Sequence, residues 1–250
     1  MFFLILLLNL FNLRHLSRES KSEFLLRSLG LNFFLIYFFY RIHEQILFYT
    51  FAGSRISLYA WMNWSLASIT LLFFILAYFM RSPAKATATG IKETLLPLIC
   101  AILPFIIYDS SNWMRFAFFR NHLEYYPLIK PLYYFKGASQ WIPFSLVLLG
   151  DVLVAWAAFY LRKSFSILTE VREWVYQGPY QYIRHPFYLA ESICTIGIAL
   201  MYLSPFNIIA TLLFLVLQRW RAHIEELKLE KYIPEYKIYR NQTGAYFPKM

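Results

Sequence analysis

The sequence predicts an all-α fold, a polytopic membrane helical bundle. Three observations carry this. Long apolar runs recur from one end of the chain to the other. The composition is 59% hydrophobic and 21% aromatic with only 15% charged residues, which no single water-dispersed domain tolerates. Strict alternation and hairpin-spaced turn signals are scarce, which argues against a transmembrane barrel.

Apolar segments are expected at roughly 2–13, 24–40, 56–80, 92–108, 141–161, 187–203 and 205–217. Several approach the ~20 residues that cross a bilayer; the first and the last two are short. Met1–Leu13 lacks a positive start and a small-residue cleavage site, so a tilted or partial span is expected there rather than a cleaved signal peptide. The last two segments are separated by Ser204-Pro205, which reads as a short helical hairpin packed against longer helices. Two regions are expected: 1–140, N-terminal transmembrane helices with an interfacial loop, and 141–250, a core with a site loop and a helical tail.

The formal net charge is +10. Its Lys and Arg lie mostly in short loops, which fits an anionic lipid bilayer face rather than a nucleic acid. Arg14, Arg18 and Lys21 precede the second segment. Arg81, Lys85 and Lys92 lie between the third and fourth, and Arg162, Lys163, Arg172 and Arg184 follow the fifth. Alternating spans put these loops on one side, expected to be cytoplasmic, together with the tail from Gln218 onward. On the other side, 109–140 mixes Arg115, Arg120, Lys130 and Lys136 with Trp113, Phe116, Phe118, Phe119, Tyr125, Tyr126, Tyr133 and Tyr134, as interfacial anchoring requires. Cys100 and Cys194 both sit in apolar segments and are not at metal spacing, so buried thiols are expected and no metal site.

The most informative stretch runs from Gly178 through Tyr188. It holds Arg184 and His185 with Tyr180, Tyr182, Tyr188, Pro179 and Pro186, between two apolar segments. Pro186 suits the first position of a helix, where its missing N–H costs nothing, and His185 then stands at the N-cap. The free N–H groups and dipole of that helix favour an anion, and Arg184 adds a fork for a carboxylate or phosphate. Gly178-Pro179 turns the chain toward this point.

A second part is Gln218 through Glu226. Helical spacing is expected to place Arg219, His223 and Glu226 on one face, with Arg221 and Glu225 as an i,i+4 pair. A third part is the tail Tyr232-Ile233-Pro234-Glu235-Tyr236-Lys237-Ile238-Tyr239-Arg240.

In this order the parts resemble the isoprenylcysteine carboxyl methyltransferase and phospholipid methyltransferase superfamily of integral membrane enzymes. The shared pattern is Gly-Pro-Tyr, Arg-His-Pro-x-Tyr, a short hairpin, Arg with a Glu-Glu pair, then Tyr-x-x-Tyr and Arg. With the upstream run Arg162-Lys163-Ser164-Phe165-Ser166-Ile167, the resemblance covers about 160–248.

The resemblance implies S-adenosylmethionine as methyl donor in a cytosol-facing pocket roofed by the tail. It points to Gly178, Tyr180, Tyr182, Arg184, His185, Pro186, Tyr188, Glu225 and Glu226 for the cofactor: a carboxylate at His185, an ammonium on Glu225 or Glu226, and aromatic faces for the adenine and sulfonium. It makes Arg219, His185 and Glu226 the catalytic candidates, with Arg219 and Arg240 on the acceptor side. Glu191 joins that side not through the resemblance but because a carboxylate inside an apolar segment is costly unless partnered. The acceptor is expected to be lipidic, either the carboxylate of a prenylated cysteine or a lipid amine; an amine must also lose a proton, to His185, His223 or a glutamate.

Two departures stand out. Tyr232-Ile233-Pro234 replaces a common Phe-Gly, and Ala190 replaces a frequent Gly, followed by Glu191. A carboxylate at that depth is either a functional group or a capped interfacial residue. Two other functions are compatible with the motif: an NADPH-dependent sterol-type membrane reductase, whose loop is similar, and a non-catalytic membrane protein with a degenerate pocket.

Overall fold

The computed structural model describes residues 21–52, 58–113, 127–133, 135–161 and 163–249. The expected segment 2–13 lies outside them. So do Arg14, Arg18, Arg162, and Arg115, Arg120, Phe116, Phe118, Phe119, Tyr125, Tyr126 and Tyr134 of the interfacial loop.

The described residues form α1 (Lys21–Ala52), α2 (Leu58–Met80), α3 (Gly90–Trp113), α4 (Trp141–Leu161), α5 (Pro186–Met201), α6 (Pro205–Tyr232) and α7 (Tyr236–Gln242). Two 3-10 turns, Gly137–Gln140 and Gly178–Gln181, precede α4 and α5. Among the described residues only isolated β-bridges occur and no strand forms. The all-helical fold is the one expected. Among the described residues, three stretches are long and apolar enough to cross a membrane: Glu23–Leu47, Gly90–Ser110 and Gly137–Leu161. Trp64–Met80 and Pro186–Met201 are shorter apolar helices.

The chain divides into two compact units. One comprises Met1–Thr87, Ala158–Ser166 and Glu170–Val175; the other comprises Ala88–Ala157, Ile167–Thr169 and Tyr176–Met250. This division follows packing, whereas the sequence boundary at 140–141 follows the motifs.

In the first unit α1 packs on α2. Phe34, Phe74 and Phe165 stack in series, with ring centroids 5.2 and 5.7 Å apart. Gly30 lets the Tyr78 ring come close: a Cβ there would sit 2.3 Å from the ring edge. Arg172 binds Glu23 at 2.9 Å and Glu170 at 2.7 Å. Arg27 donates to the Arg81 carbonyl at 3.0 Å, and Arg81 lies over the Tyr78 ring. Burial, reinforced by the neighbouring Arg172 charge, lowers the Arg81 pKa. Arg81 and Arg172, two of the cations counted toward orientation, are therefore buried inside an ion-pair network. Lys85 and Lys163 remain exposed.

In the second unit α3, α5 and α6 pack together. Pro97 lies inside α3 and has no N–H to give to the Glu93 carbonyl one turn back. That carbonyl instead accepts Thr169 N–H at 3.1 Å, so the break is satisfied from outside the helix. Glu93 also binds Lys228 Nζ of α6 at 2.6 Å.

Helices α5 and α6 form the expected hairpin. Ser204 caps α6 by accepting Asn207 N–H, and Pro205 occupies its first turn. Asn207 ties the turn together through the Tyr202 carbonyl at 2.8 Å and Ser110 of α3 at 2.8 Å. Residues 128–132 run beside it: Phe206 N–H bonds Leu128 O at 2.8 Å and Leu132 N–H bonds Leu203 O at 2.7 Å. Helix α6 continues past its apolar half without interruption, because 218–232 is rich in the strong helix formers Arg, Ala, Glu, Leu and Lys. On α5, Gly197 allows Val147 of α4 to approach.

Candidate functional site

The loop before α5 is built by its backbone. Gly178 adopts φ 60°, a left-handed conformation that favours glycine, and opens the 3-10 turn. The turn buries Pro179 and Tyr180 and leaves Gln181 and Tyr182 exposed. Pro186 then starts α5 with His185 at its N-cap, as expected. The His185 side chain makes no capping bond; it turns instead toward α6.

There it meets Glu226. The Glu226 carboxylate binds Arg184 Nε at 2.7 Å, His185 Nε2 at 2.9 Å and Arg240 Nε at 3.2 Å. Burial opposes its charge, but the hydrogen bonds from His185 and Arg184 outweigh this and hold its pKa down at about 2. Arg240 is further fixed by Glu230 at 2.8 Å, and that hydrogen bond raises its pKa.

The same residues clamp the tail. Arg184 Nη1 donates to the carbonyls of Arg240 and Thr243. Arg184 N–H bonds Gly244 O at 2.9 Å and His185 N–H bonds Ala245 O at 3.0 Å. Tyr239 of α7 donates to the Tyr180 carbonyl, and burial pushes its pKa up to about 12. Tyr236 is raised further by burial and by the charges of Glu226 and Glu225. The tail thus closes over the Arg-His-Pro loop.

Beside this clamp lies an aromatic and charged array. His185 and Tyr188 stack at 5.3 Å with their planes 3° apart, and Tyr246 lies 5.9 Å from His185. Tyr188 donates its hydroxyl to Glu225 at 2.5 Å, and Arg221 lies over the Tyr188 ring at 4.7 Å. Arg221 also donates to Ile167 O at 2.8 Å. Its pKa is raised: burial works against the charge, but Tyr188 and Glu191 outweigh it. One turn deeper, Gln218 donates to Glu191 at 2.5 Å. The Tyr180 hydroxyl and Gln218 Oε1 are buried and have no hydrogen-bond partner. Burial, with Glu225, Tyr239 and Glu191 nearby, holds the Tyr180 pKa well above the usual phenol value.

The structure brings together Tyr180, Arg184, His185, Pro186, Tyr188, Glu191, Glu225, Glu226 and Arg240. Tyr182, Arg219 and His223 are exposed. Arg219, His223 and Glu226 fall on one side of the continuous helix α6, as their spacing predicts, but only Glu226 of the three is buried. The buried stripe of α6 runs through Asn207, Ala210, Thr211, Phe214, Gln218, Arg221, Ala222 and Glu226. Carrying the phase of the apolar half forward at 3.6 residues per turn selects Gln218 and Arg221, which flank Arg219 immediately before it and two positions after it.

Fold and site together define a helical membrane protein whose polar site lies at the end of a helical hairpin, under a C-terminal strap. Residues 138–235 match the phospholipid methyltransferase family. The chain is 30% identical over 132 residues to protein-S-isoprenylcysteine O-methyltransferase B of Arabidopsis thaliana, covering 49% of this chain and 64% of that one. It is 29% identical over 128 residues to the nickel-cobalt-cadmium resistance protein NccN of Alcaligenes xylosoxydans xylosoxydans, covering 46% of this chain and 57% of the relative. The chain thus spans less than two thirds of each of these relatives. The family match at 138–235 overlaps the resemblance read from 160–248, and the family model and the Arabidopsis relative both mark the chain as methyltransferase-like.

Proposed function

We propose that this protein is an integral membrane methyltransferase that uses S-adenosylmethionine and acts on a lipidic acceptor, with its site loop and C-terminus facing the cytoplasm. The observation that carries this is the closed array of His185, Tyr188, Arg221 and Glu225 beneath the tail, inside the matched region. The residues fit the cofactor: they offer a half-buried carboxylate, two stacked ring faces and an unpartnered buried hydroxyl, that of Tyr180. S-adenosylmethionine supplies an activated methyl group on a sulfonium centre.

The chain's own residues divide the work. Glu225, oriented by the Tyr188 hydroxyl, receives an ammonium. Tyr180 hydrogen-bonds a polar edge. The His185 and Tyr188 rings face a flat or cationic group. Glu226 has its charge balanced by Arg184 and Arg240 and is hydrogen-bonded to His185, so in this reading it holds the roof in place. Arg184 and Arg240 serve the same clamp. Arg221, rather than the exposed Arg219, is the cation that borders the reacting region. The tail excludes water, and alignment of the two reactants provides most of the rate enhancement.

Thermal unfolding in detergent with S-adenosylhomocysteine or NADPH tests the reading. Stabilisation by S-adenosylhomocysteine is expected. Stabilisation by NADPH alone would establish the reductase alternative, and a response to neither would favour a non-catalytic protein.

A further inference from the structure

Below the Tyr188–Arg221 layer lies a second polar pair. Glu191 follows Tyr188 by three residues on α5, so it sits one turn further into the apolar helix. Gln218 precedes Arg221 by three on α6, which runs in the opposite direction, so it drops by the same turn. Gln218 Nε2 donates to Glu191 Oε2 at 2.5 Å.

Gln218 is 1% exposed, and its Oε1 has no hydrogen-bond partner. The amide turns its NH₂ toward Glu191. Its carbonyl oxygen is then left unpaired in a buried place, where native structures seldom leave an acceptor empty. A second carboxylate lies one more turn down. Cys194 follows Glu191 by three and donates to Asp151 Oδ1 of α4 at 3.6 Å, and Asp151 is buried.

This face of the site is therefore made of acceptors: Gln218 Oε1, Glu191 and Asp151. Resting on the methyltransferase reading above, we propose that Glu191 and Gln218 form the subsite for the acceptor's head group. This subsite selects a head that donates hydrogen bonds, an amine N–H or a hydroxyl O–H, over a carboxylate. A donor head pairs Gln218 Oε1 and the Glu191 carboxylate together. A carboxylate head brings only acceptors and leaves Gln218 Oε1 unpaired. Sites built to pair a donor reject analogues that lack it far more strongly than apolar pockets reject a change of shape.

The test uses the full-length protein in nanodiscs and three probes with the same tail: farnesylamine, farnesol and farnesoic acid. Dissociation constants are read from thermal-shift titrations without cofactor. The expected result is that farnesylamine or farnesol binds about ten-fold more tightly than the carboxylate probe, and that Glu191→Gln and Gln218→Leu each abolish the preference. The amine and hydroxyl arms tell the two donor chemistries apart. If Glu191→Gln does not fold, Gln218→Leu carries the same comparison. Equal or tighter binding of the carboxylate probe overturns the proposal, as does an unchanged preference in a folded variant. S-adenosylhomocysteine binding to the wild type is measured in parallel. Its loss with the head preference intact sinks the methyltransferase reading and spares the subsite.

Discussion

Glu226 of α6 and Arg184 of the loop before α5 are joined by a 2.7 Å ion pair between residues separated by 42 positions in the chain. Arg184 then reaches past Glu226 to the carbonyls of Arg240 and Thr243. Loop, helix and tail therefore share a single anchoring charge.

Glu226→Gln should release that anchor. The substitution keeps the shape but leaves Arg184 and Arg240 beside a neutral group. Removing one partner from a buried ion pair costs about 3–5 kcal/mol, so a clear fall in unfolding temperature is expected. Limited proteolysis should then cut near Gln242–Ala245, a segment the wild type protects. A variant that is as stable and as resistant as the wild type would refute the anchor.

The same carboxylate sets an acid limit. Its pKa of about 2 in the fold lies below the ordinary value of 4.5. Its contribution to stability is thus fully present above pH 4.5 and is lost as the pH falls toward 2. Unfolding temperature measured from pH 6 to pH 2 should fall through that window. In Glu226→Gln this part of the fall should be absent.

Tyr188→Phe separates two roles of one side chain. The ring that stacks on His185 and carries Arg221 is kept, and only the hydroxyl bond to Glu225 is lost. Hydrogen bonds to charged groups contribute about 1.5–3 kcal/mol, so S-adenosylhomocysteine affinity should fall by roughly ten-fold or more, as calorimetry would show.

Arg221→Ala and Arg219→Ala should differ sharply. Arg221 is buried against Tyr188 and Ile167 O, whereas Arg219 is exposed. Methyl transfer from labelled donor into a membrane lipid extract should fall about 100-fold or more in Arg221→Ala and much less in Arg219→Ala. The reverse order would return the reacting region to Arg219.

Gly150→Val tests the contact between α4 and α5. A Cβ at Gly150 would lie 2.6 Å from the Cys194 backbone nitrogen, where only a helix shift makes room. Overpacking of this kind costs about 1–3 kcal/mol, and lower stability in detergent is expected.

Much of this architecture is legible in the sequence, because apolar length and proline punctuation act locally. Pro186 and Ser204-Pro205 marked the starts of α5 and α6 without reference to anything distant. Glu226 was visible as half of an acidic pair, and His185 as an N-cap. Its threefold pairing with Arg184, His185 and Arg240 was not, since it depends on how the tail folds back. The resemblance and the charge spacing point to Arg219, and neither registers which side of α6 is buried. The phase of the apolar stripe through Ala210, Thr211 and Phe214 would have selected Arg221. The burial of Arg172 was hidden for another reason: Glu23, one of its counter-charges, lies far from it in sequence.

Pro97 of α3 leaves the Glu93 carbonyl open to Thr169, and Glu93 also receives Lys228. One missing N–H thus gives the membrane helix a handle at its polar end. Through it, the segment leading toward the site loop and the helix bearing Glu225 and Glu226 are held to the same residue. A replacement at Pro97 that restored the helical N–H would compete with Thr169 for that carbonyl. Its effect would surface at the site, several turns of helix from the altered side chain.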